Sequence, residues 1–443
     1  MKRLRVFVLM ALSLVAGGCG ISAEHYGKLE TQLATGQCGP AVEYYEKNGM
    51  DNGLNWDYGL NTRLVYLLDK GMVNMLCGKY PESAKTLQEA DELSEKLWTT
   101  SVTKELSTYV TSDYMQDYSG EDYERAMINM IAAVDYILMG QIDEALVECR
   151  RLDEKLGIFN QKYDKDKNVY KEDAFGRYLG GILYESRGEL SDAYIDYRKA
   201  YEAYQDYGKN YQTPLPDSLK ADLTRLAAKL GHNDDLSEYR SAFGNIDVPQ
   251  HSDVRQKARL VLIQFDGRAP RKEEDKLIVS SQIGPLTIAF PRFAAVPSGR
   301  GPAALIARAD GAAEHRGTPF LADDVEKIAM KNLDDRKGRV IAKTIARAIA
   351  KQALIDATAR SSSNDQNTQL LVKQMMNIGN IFLEKADTRT WRTLPARIYL
   401  STAFVPPGSY TLYGEARGWT TPLGAVDARA GETRFVFLDT MYR

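Results

Sequence analysis

The side chains able to do chemistry in this sequence are few and scattered. Its four histidines, His25, His232, His251 and His315, share no local motif with one another or with a cysteine. A metal site built from one stretch of chain needs its ligands a few residues apart, so no such site is read here. No Gly-x-Ser-x-Gly elbow, His-Glu-x-x-His pair or Gly-x-x-x-x-Gly-Lys phosphate loop occurs. The familiar hydrolase, zincin and nucleotide-binding chemistries therefore lack their residues. Pairs of aspartate and glutamate abound, but at helical spacing they read as solvated faces. The expectation is a protein with no catalytic residue, no metal and no cofactor.

One thiol is different. Residues 1–5 are basic, residues 6–15 form an apolar run too short to cross a bilayer, and Ala16-Gly17-Gly18 precedes Cys19. Small residues before a cysteine suit a signal peptidase and leave a sulfur nucleophile for diacylglycerol transfer. The arrangement resembles the bacterial lipobox, with Ala16 where leucine is commoner and Gly20, not aspartate, after the cysteine. It implies export, removal of residues 1–18, lipidation of Cys19 and an outer-membrane address facing the periplasm. Each buried acyl methylene contributes about 0.8 kcal/mol, so several chains on one cysteine hold a protein at a membrane. Cys38, Cys77 and Cys149 remain, and an oxidising compartment allows one disulfide among them. Cys38 and Cys77 stand near comparable helix turns and are the candidate pair.

The elements that carry these residues begin as helices. From about Glu24 to Phe243 the pattern is helical and rich in tyrosine, and a small motif recurs. Gly36-Gln37-Cys38 leads to Ala41, Gly78-Lys79-Tyr80 to Ala84, Gly140-Gln141-Ile142 to Ala145, and Gly188-Glu189-Leu190 to Ala193. In each, a helix ends near the glycine, a larger side chain two residues on fills the bend, and the alanine lets the next helix pack closely. The reading is a mainly α, tetratricopeptide-like (TPR-like) helical solenoid over 19–245. It is degenerate, because the glycines stand 42, 62 and 48 residues apart where that repeat has a period of about 34. Stacked helix pairs expose a curved face suited to holding another chain.

After Gly244 the periodicity changes to that of a smaller α+β domain over 246–443. Residues 259–265 (RLVLIQF) and 286–290 read as strands, and 297–319, rich in Gly, Ala and Pro, as an exposed loop. Two long helices are expected over 322–360 and 368–385. Three strand-like runs close the chain, at 397–405, 409–416 and 432–438, with Pro406-Pro407-Gly408 joining the first two as a hairpin. Charge divides with the pattern. Residues 19–253 hold 25 basic and 41 acidic side chains, net −16, whereas 254–443 hold 29 and 19, net +10. Opposite charge favours contact between the halves, or a basic C-terminal face turned to an acidic partner. Arg339, Lys343, Arg347 and Lys351 recur at i, i+4 and form a candidate interaction stripe, either for anionic lipid or for the acidic helices. Within 386–395, Asp387, Arg389 and Trp391 read as a rigid junction, where the acid caps or pairs and the indole seals a core edge. Nucleic acid is not expected as a partner of an exported chain with a negative mature charge.

Several blocks together resemble a family of uncharacterised tetratricopeptide-like lipoproteins of Gram-negative bacteria. They are Asp122-Tyr123-Glu124-Arg125 with Ala133 and Asp135-Tyr136; Glu148-Cys149-Arg150-Arg151; Tyr184-Glu185 with Gly188-Glu189-Leu190 and Asp192-Ala193-Tyr194; residues 266–272; and residues 386–395 with Pro406-Pro407-Gly408-Ser409-Tyr410. Asp266 and Arg271 depart from the charges expected in the 266–272 loop. The resemblance covers most of the mature chain and implies a periplasm-facing protein with no established activity, encoded in some genomes near a lipoprotein activator of peptidoglycan synthases. The function expected is that of a lipid-anchored, protein-binding scaffold in the cell envelope, linked to cell-wall or outer-membrane maintenance. Its alternatives are an oligomeric structural component and a cell-wall enzyme without familiar motifs.

Overall fold

A computed structural model describes residues 23–47, 57–59, 61–103, 116–162, 169–281, 284–309, 313–362 and 385–442. Cys19, the signal segment and most of the helix expected over 368–385 lie outside the described residues.

Among the described residues ten helices come first, and they pair as hairpins: α1 (Ala23–Ala34) with α2 (Cys38–Lys47), α3 (Arg63–Leu76) with α4 (Tyr80–Thr103), α5 (Asp122–Leu138) with α6 (Ile142–Lys162), α7 (Ala174–Ser186) with α8 (Leu190–Asn210), and α9 (Asp217–Leu230) with α10 (Asn233–Phe243). Each bend holds a glycine, Gly36, Gly78, Gly140, Gly188 or Gly231, at φ between +70° and +80°, a conformation that side chains resist. The amide after that glycine reaches back five residues to a helix carbonyl: Gln37 to Gln32, Lys79 to Asn74, Gln141 to Tyr136, Glu189 to Tyr184 and His232 to Ala227, at 2.8–3.0 Å. That bond satisfies an end carbonyl and fixes the angle at which the next helix leaves. Ala41, Ala84, Ala145 and Ala193 are all buried where the paired helices touch. Gly181 lets α7 lie so near α8 that an added Cβ would stand 2.3 Å from the Tyr197 ring. Each helix packs against its neighbours in sequence, so the hairpins stack as a mainly α solenoid of tetratricopeptide character.

Gly244, at φ 66° and ψ −145°, then leads through a bend at Asn245 into a stretch over 246–250 outside any helix or strand, which ends at the short α11 (His251–Arg255). The smaller α+β part follows. One sheet has the order β2-β1-β6-β5, built from β1 (Ala258–Ser281), β2 (Gly284–Val296), β5 (Thr318–Asp323) and β6 (Pro395–Val405), and β9 (Thr433–Thr440) pairs parallel with β1. The other has the order β4-β3-β7-β8, from β3 (Ala304–Arg308), β4 (His315–Arg316), β7 (Gly408–Ala416) and β8 (Trp419–Ala428). A long helix, α12 (Val325–Ser362), packs against β2, β6 and β1.

Strand alternation decides what each face buries. Val261, Ile263 and Phe265 of β1 join Trp391, Leu394, Ile398 and the tyrosine-rich interior of the helices in one continuous apolar core. Leu260 and Leu262, on the opposite face, pack with Leu305, Val405 and Leu412 in a second core that includes residues of both sheets. The two parts of the chain thus share a core, and β1 is sandwiched on both faces, which is why it reads as an unbroken apolar run.

Three expectations are corrected here. Pro406-Pro407 does not close a hairpin: β6 pairs with β1 and β5, β7 pairs with β3 and β8, and the turn carries the chain from one sheet to the other. β6 is buried along most of its length and has a partner on either edge, whereas β7 alternates and buries Tyr410, Leu412 and Gly414 on one face, so each strand finds its own sheet. Residues 297–319 are not simply a loop, because Ala304–Arg308 forms a buried strand of the second sheet. Residues 266–272 lie inside β1, with a register shift between Arg268 and Arg271 in place of a loop.

Candidate functional site

Many of the buried polar side chains gather at the seam between helices and sheet. Glu124, fully buried near the start of α5, accepts five hydrogen bonds. Tyr118 Oη (2.5 Å) and the Glu121 amide (3.0 Å) donate to one oxygen. Thr390 Oγ1 (2.6 Å), the Trp391 amide (2.7 Å) and Tyr123 Oη (3.3 Å) donate to the other. The Glu121 bond also completes a capping box, so the residue that starts α5 seats the 386–395 run as well. Around it, the Arg389 guanidinium grips Asp387 through two bonds of 2.7 and 2.8 Å and donates to the carbonyls of Asn61 and Gln116, each at 2.7 Å. Trp391 is fully buried, and its indole donates to Thr393 Oγ1, whose hydroxyl donates to Asp69 Oδ1 at 2.7 Å. Burial pushes the Asp69 carboxyl up to about 6 even though Thr393, Tyr26 and Tyr58 all donate to it. Asp387, Arg389 and Trp391 therefore form a junction, and it joins the sheet domain to the solenoid across more than 260 residues of chain.

A second buried cluster ties β1 to the last hairpins. Arg225 of α9 holds Glu185 through bonds of 2.6 and 2.9 Å and Asp222 at 2.7 Å. Arg259 of β1 reaches Asp222 at 2.8 Å and the hydroxyls of Tyr178 and Tyr197, each at 3.2 Å. Burial alone would raise the Asp222 carboxyl, but the Arg259 and Arg225 charges outweigh it and hold it below the usual carboxylate range. Further ion pairs repeat the pattern, with cations of the C-terminal part on acids of the helices: Arg268 and Arg392 on Glu30, and Lys272 and Arg336 on Glu121. The opposite charge of the two halves is expressed as contact between them.

The remaining residues singled out in the sequence are placed as follows. Cys38 and Cys77 form a disulfide with Cα atoms 5.5 Å apart, joining the end of the first hairpin bend to the start of the second, and Cys149 is a buried free thiol. On α12, Arg347 is buried at 3% exposure, while Arg339 and Lys343 are half-buried. Each of these three already has an interaction within the chain, so the stripe is not a free cationic face. The side chain of Lys351 lies outside the described residues. Among the described residues, no group of three or more His, Cys, Asp or Glu could hold a metal, and no helix is long and apolar enough to cross a membrane. Carboxyls lifted by burial, at Asp69, Asp135, Asp153, Asp173 and Asp323, sit beneath the helices and the sheet.

An open site lies elsewhere. A cleft of about 760 Å³ lies between the α9–α10 hairpin and the 244–255 stretch, with Lys229, Arg240, His251 and Arg255 on its walls and no carboxylate among its lining residues. Arg225 at its floor donates to His251 Nδ1 at 3.2 Å, connecting the cleft to the buried cluster. Neither Glu124 nor this cleft was visible as a site from local motifs. The one available signal for the cluster is Arg259, a charge abutting an otherwise apolar strand.

No family model and no curated protein matches the chain. Among solved structures, TPR-like repeats of a kinesin light chain from Podosopora anserina match at 14% identity and a TM-score of 0.30, covering 49% of this chain and 90% of theirs. BtubC (BKLC) from P. vanneervenii matches at 14% identity and a TM-score of 0.30, covering 50% of this chain and 81% of its own. The architecture rests on the helix bends and strand pairings themselves, to which likenesses at this level add no weight.

Proposed function

We propose that the chain is an exported lipoprotein, cut before Cys19 and held at the periplasmic face of the outer membrane, where its solenoid acts as a protein-binding scaffold without catalytic activity. Linkage to cell-wall or outer-membrane maintenance follows from the family resemblance, and the address from the residues around Cys19. The observation that carries the scaffold reading is the seam. Stacked hairpins are locked to a sheet domain through buried hydrogen bonds and ion pairs, so their outer surfaces and the cationic cleft are presented in one fixed arrangement. None of the carboxyls that burial lifts lines that cleft, which speaks against acid–base work there.

Two measurements test the reading. Mass spectrometry of the native product is expected to find diacylglycerol on Cys19 and residues 1–18 absent; an unmodified Cys19 overturns the anchor. A photo-crosslinking amino acid placed at exposed positions of the full chain, such as Ile195 on α8 and Lys229 at the cleft, is expected to trap discrete protein adducts in native membranes. Absence of any adduct at every position sinks the scaffold. The alternative of an oligomeric envelope component draws on Leu277 and Ile278 near the end of β1 and Ile349 on α12, large apolar side chains 43%, 71% and 48% exposed. Light scattering on a soluble form lacking Cys19 separates the two, since a strict monomer at high concentration excludes the oligomer.

A further inference from the structure

We infer that the cleft between the α9–α10 hairpin and the 244–255 stretch binds an extended, acidic peptide segment of a protein partner, an inference that rests on the scaffold reading. Three independent features converge there. The first is charge. Lys229, Arg240 and Arg255 are exposed on its walls, and no described residue forms a salt bridge with any of them. Two of the three, Lys229 and Arg240, stand on the half of the chain whose net charge is −16, so the local sign there is reversed against its surroundings. A cationic concavity on an acidic body attracts carboxylates and repels basic segments, which gives selectivity as well as speed of association.

The second feature is backbone. After a tight bend at Asn245, residues 246–250 belong to no helix or strand, most of them line the cleft, and Asp247 and Val248 make no main-chain hydrogen bond within the described residues. Pro249 has no amide, and the Gln250 carbonyl is occupied by the amides of Asp253 and Val254. The open amides and carbonyls of Asp247 and Val248 are therefore what an incoming strand would pair with. The third is apolar lining. Leu236, Ile246, Val248 and Pro249 are partly buried beside the cations. A strand alternating acidic and apolar side chains would place carboxylates on Lys229, Arg240 and Arg255 and turn its apolar face to Leu236 and Val248. A phosphate polymer or lipid headgroup would use the charges but neither the strand edge nor the apolar wall.

The probe is a fluorescein-labelled octapeptide alternating Glu and Val, titrated by anisotropy against the full mature chain in detergent. It should bind, and the matched Lys–Val peptide should not. Lys229→Glu combined with Arg240→Glu should weaken binding about tenfold or more. Val248→Pro, which removes a strand-edge donor and leaves every charge, should weaken it several-fold. Lys28→Glu, on exposed α1, should leave it unchanged. The inference is overturned if the Glu–Val peptide fails to bind, if Lys–Val binds as well, if Val248→Pro has no effect, or if polyphosphate of equal charge displaces the peptide as well as unlabelled peptide does. Crosslinks from α8 with a silent cleft would sink this inference while leaving the scaffold standing; silence at every position sinks both.

Discussion

Replacing Glu124 by glutamine tests the seam with a change of one atom. The parent carboxylate offers acceptors only, and five donors converge on it from α5, from the residues before it and from the 386–395 run. An amide keeps one acceptor and brings two N–H donors. The hydroxyls of Tyr118 and Thr390 can rotate to accept, but the amides of Glu121 and Trp391 cannot, and they sit on different oxygens. Whichever way the glutamine turns, one buried backbone amide faces an NH₂ group, an orphaned donor that costs roughly 1–3 kcal/mol. The bonds that remain also lose charge assistance, so the total reaches about 2–4 kcal/mol. That is a large part of a typical stability of about 5–15 kcal/mol. Urea unfolding followed by circular dichroism should show the loss, and hydrogen exchange should show the Trp391 amide opening ahead of the α5 core amides. A variant within about 0.5 kcal/mol of the parent, with Trp391 protection unchanged, would refute the claim that Glu124 holds the two parts together.

Three further outcomes are expected. Arg259→Met leaves Asp222 and Glu185 short of a buried cation and should destabilise the fold by about 3–5 kcal/mol in denaturant titration. Asp323, fully buried beside Asp173, is pushed by burial, and then by the Asp173 charge, well above the usual carboxylate range. The folded state therefore binds its proton more tightly than the unfolded chain. Stability at this site is greatest below pH ~4 and falls by up to about 1.4 kcal/mol per unit as pH rises toward the folded value. Asp323→Asn should abolish that component of the slope and raise the thermal midpoint at pH 7 more than at pH 4; an unchanged pH profile counts against the assignment. Cys77→Ser, or reduction of the parent, opens a link spanning 39 residues and should cost about 4 kcal/mol in the first two hairpins, read by hydrogen exchange in α1 and α2.

The hairpin bends were legible because their signals are local: a glycine for the left-handed bend, a filler side chain two residues on and an alanine where helices touch. The seam was legible only in halves. Asp387, Arg389 and Trp391 read as a junction, and Glu124 stood in a block of its own, but nothing in either stretch names a partner 267 residues away. Periodicity drew the cationic stripe of α12 along one face without saying whether that face is covered, and Arg347 is buried. Strand β8 went unread because Pro422 and Gly424 interrupt it, and an edge strand tolerates both. The misjoined hairpin had the right turn chemistry; what it lacked was the fact that two sheets, not one, were waiting on either side of Pro406-Pro407.

The parallel pairing of β1 with β9 has a consequence for how the molecule matures. Hairpins of neighbouring helices meet after short loops, so they can assemble as soon as each is available. Gln264, by contrast, meets Thr440 only across 176 positions, so β1 keeps a bare flank until nearly the whole chain is in place. Truncation before Thr433 should therefore yield a helical body with an exposed strand rim that recruits a second molecule, a sticky intermediate in place of a smaller stable protein.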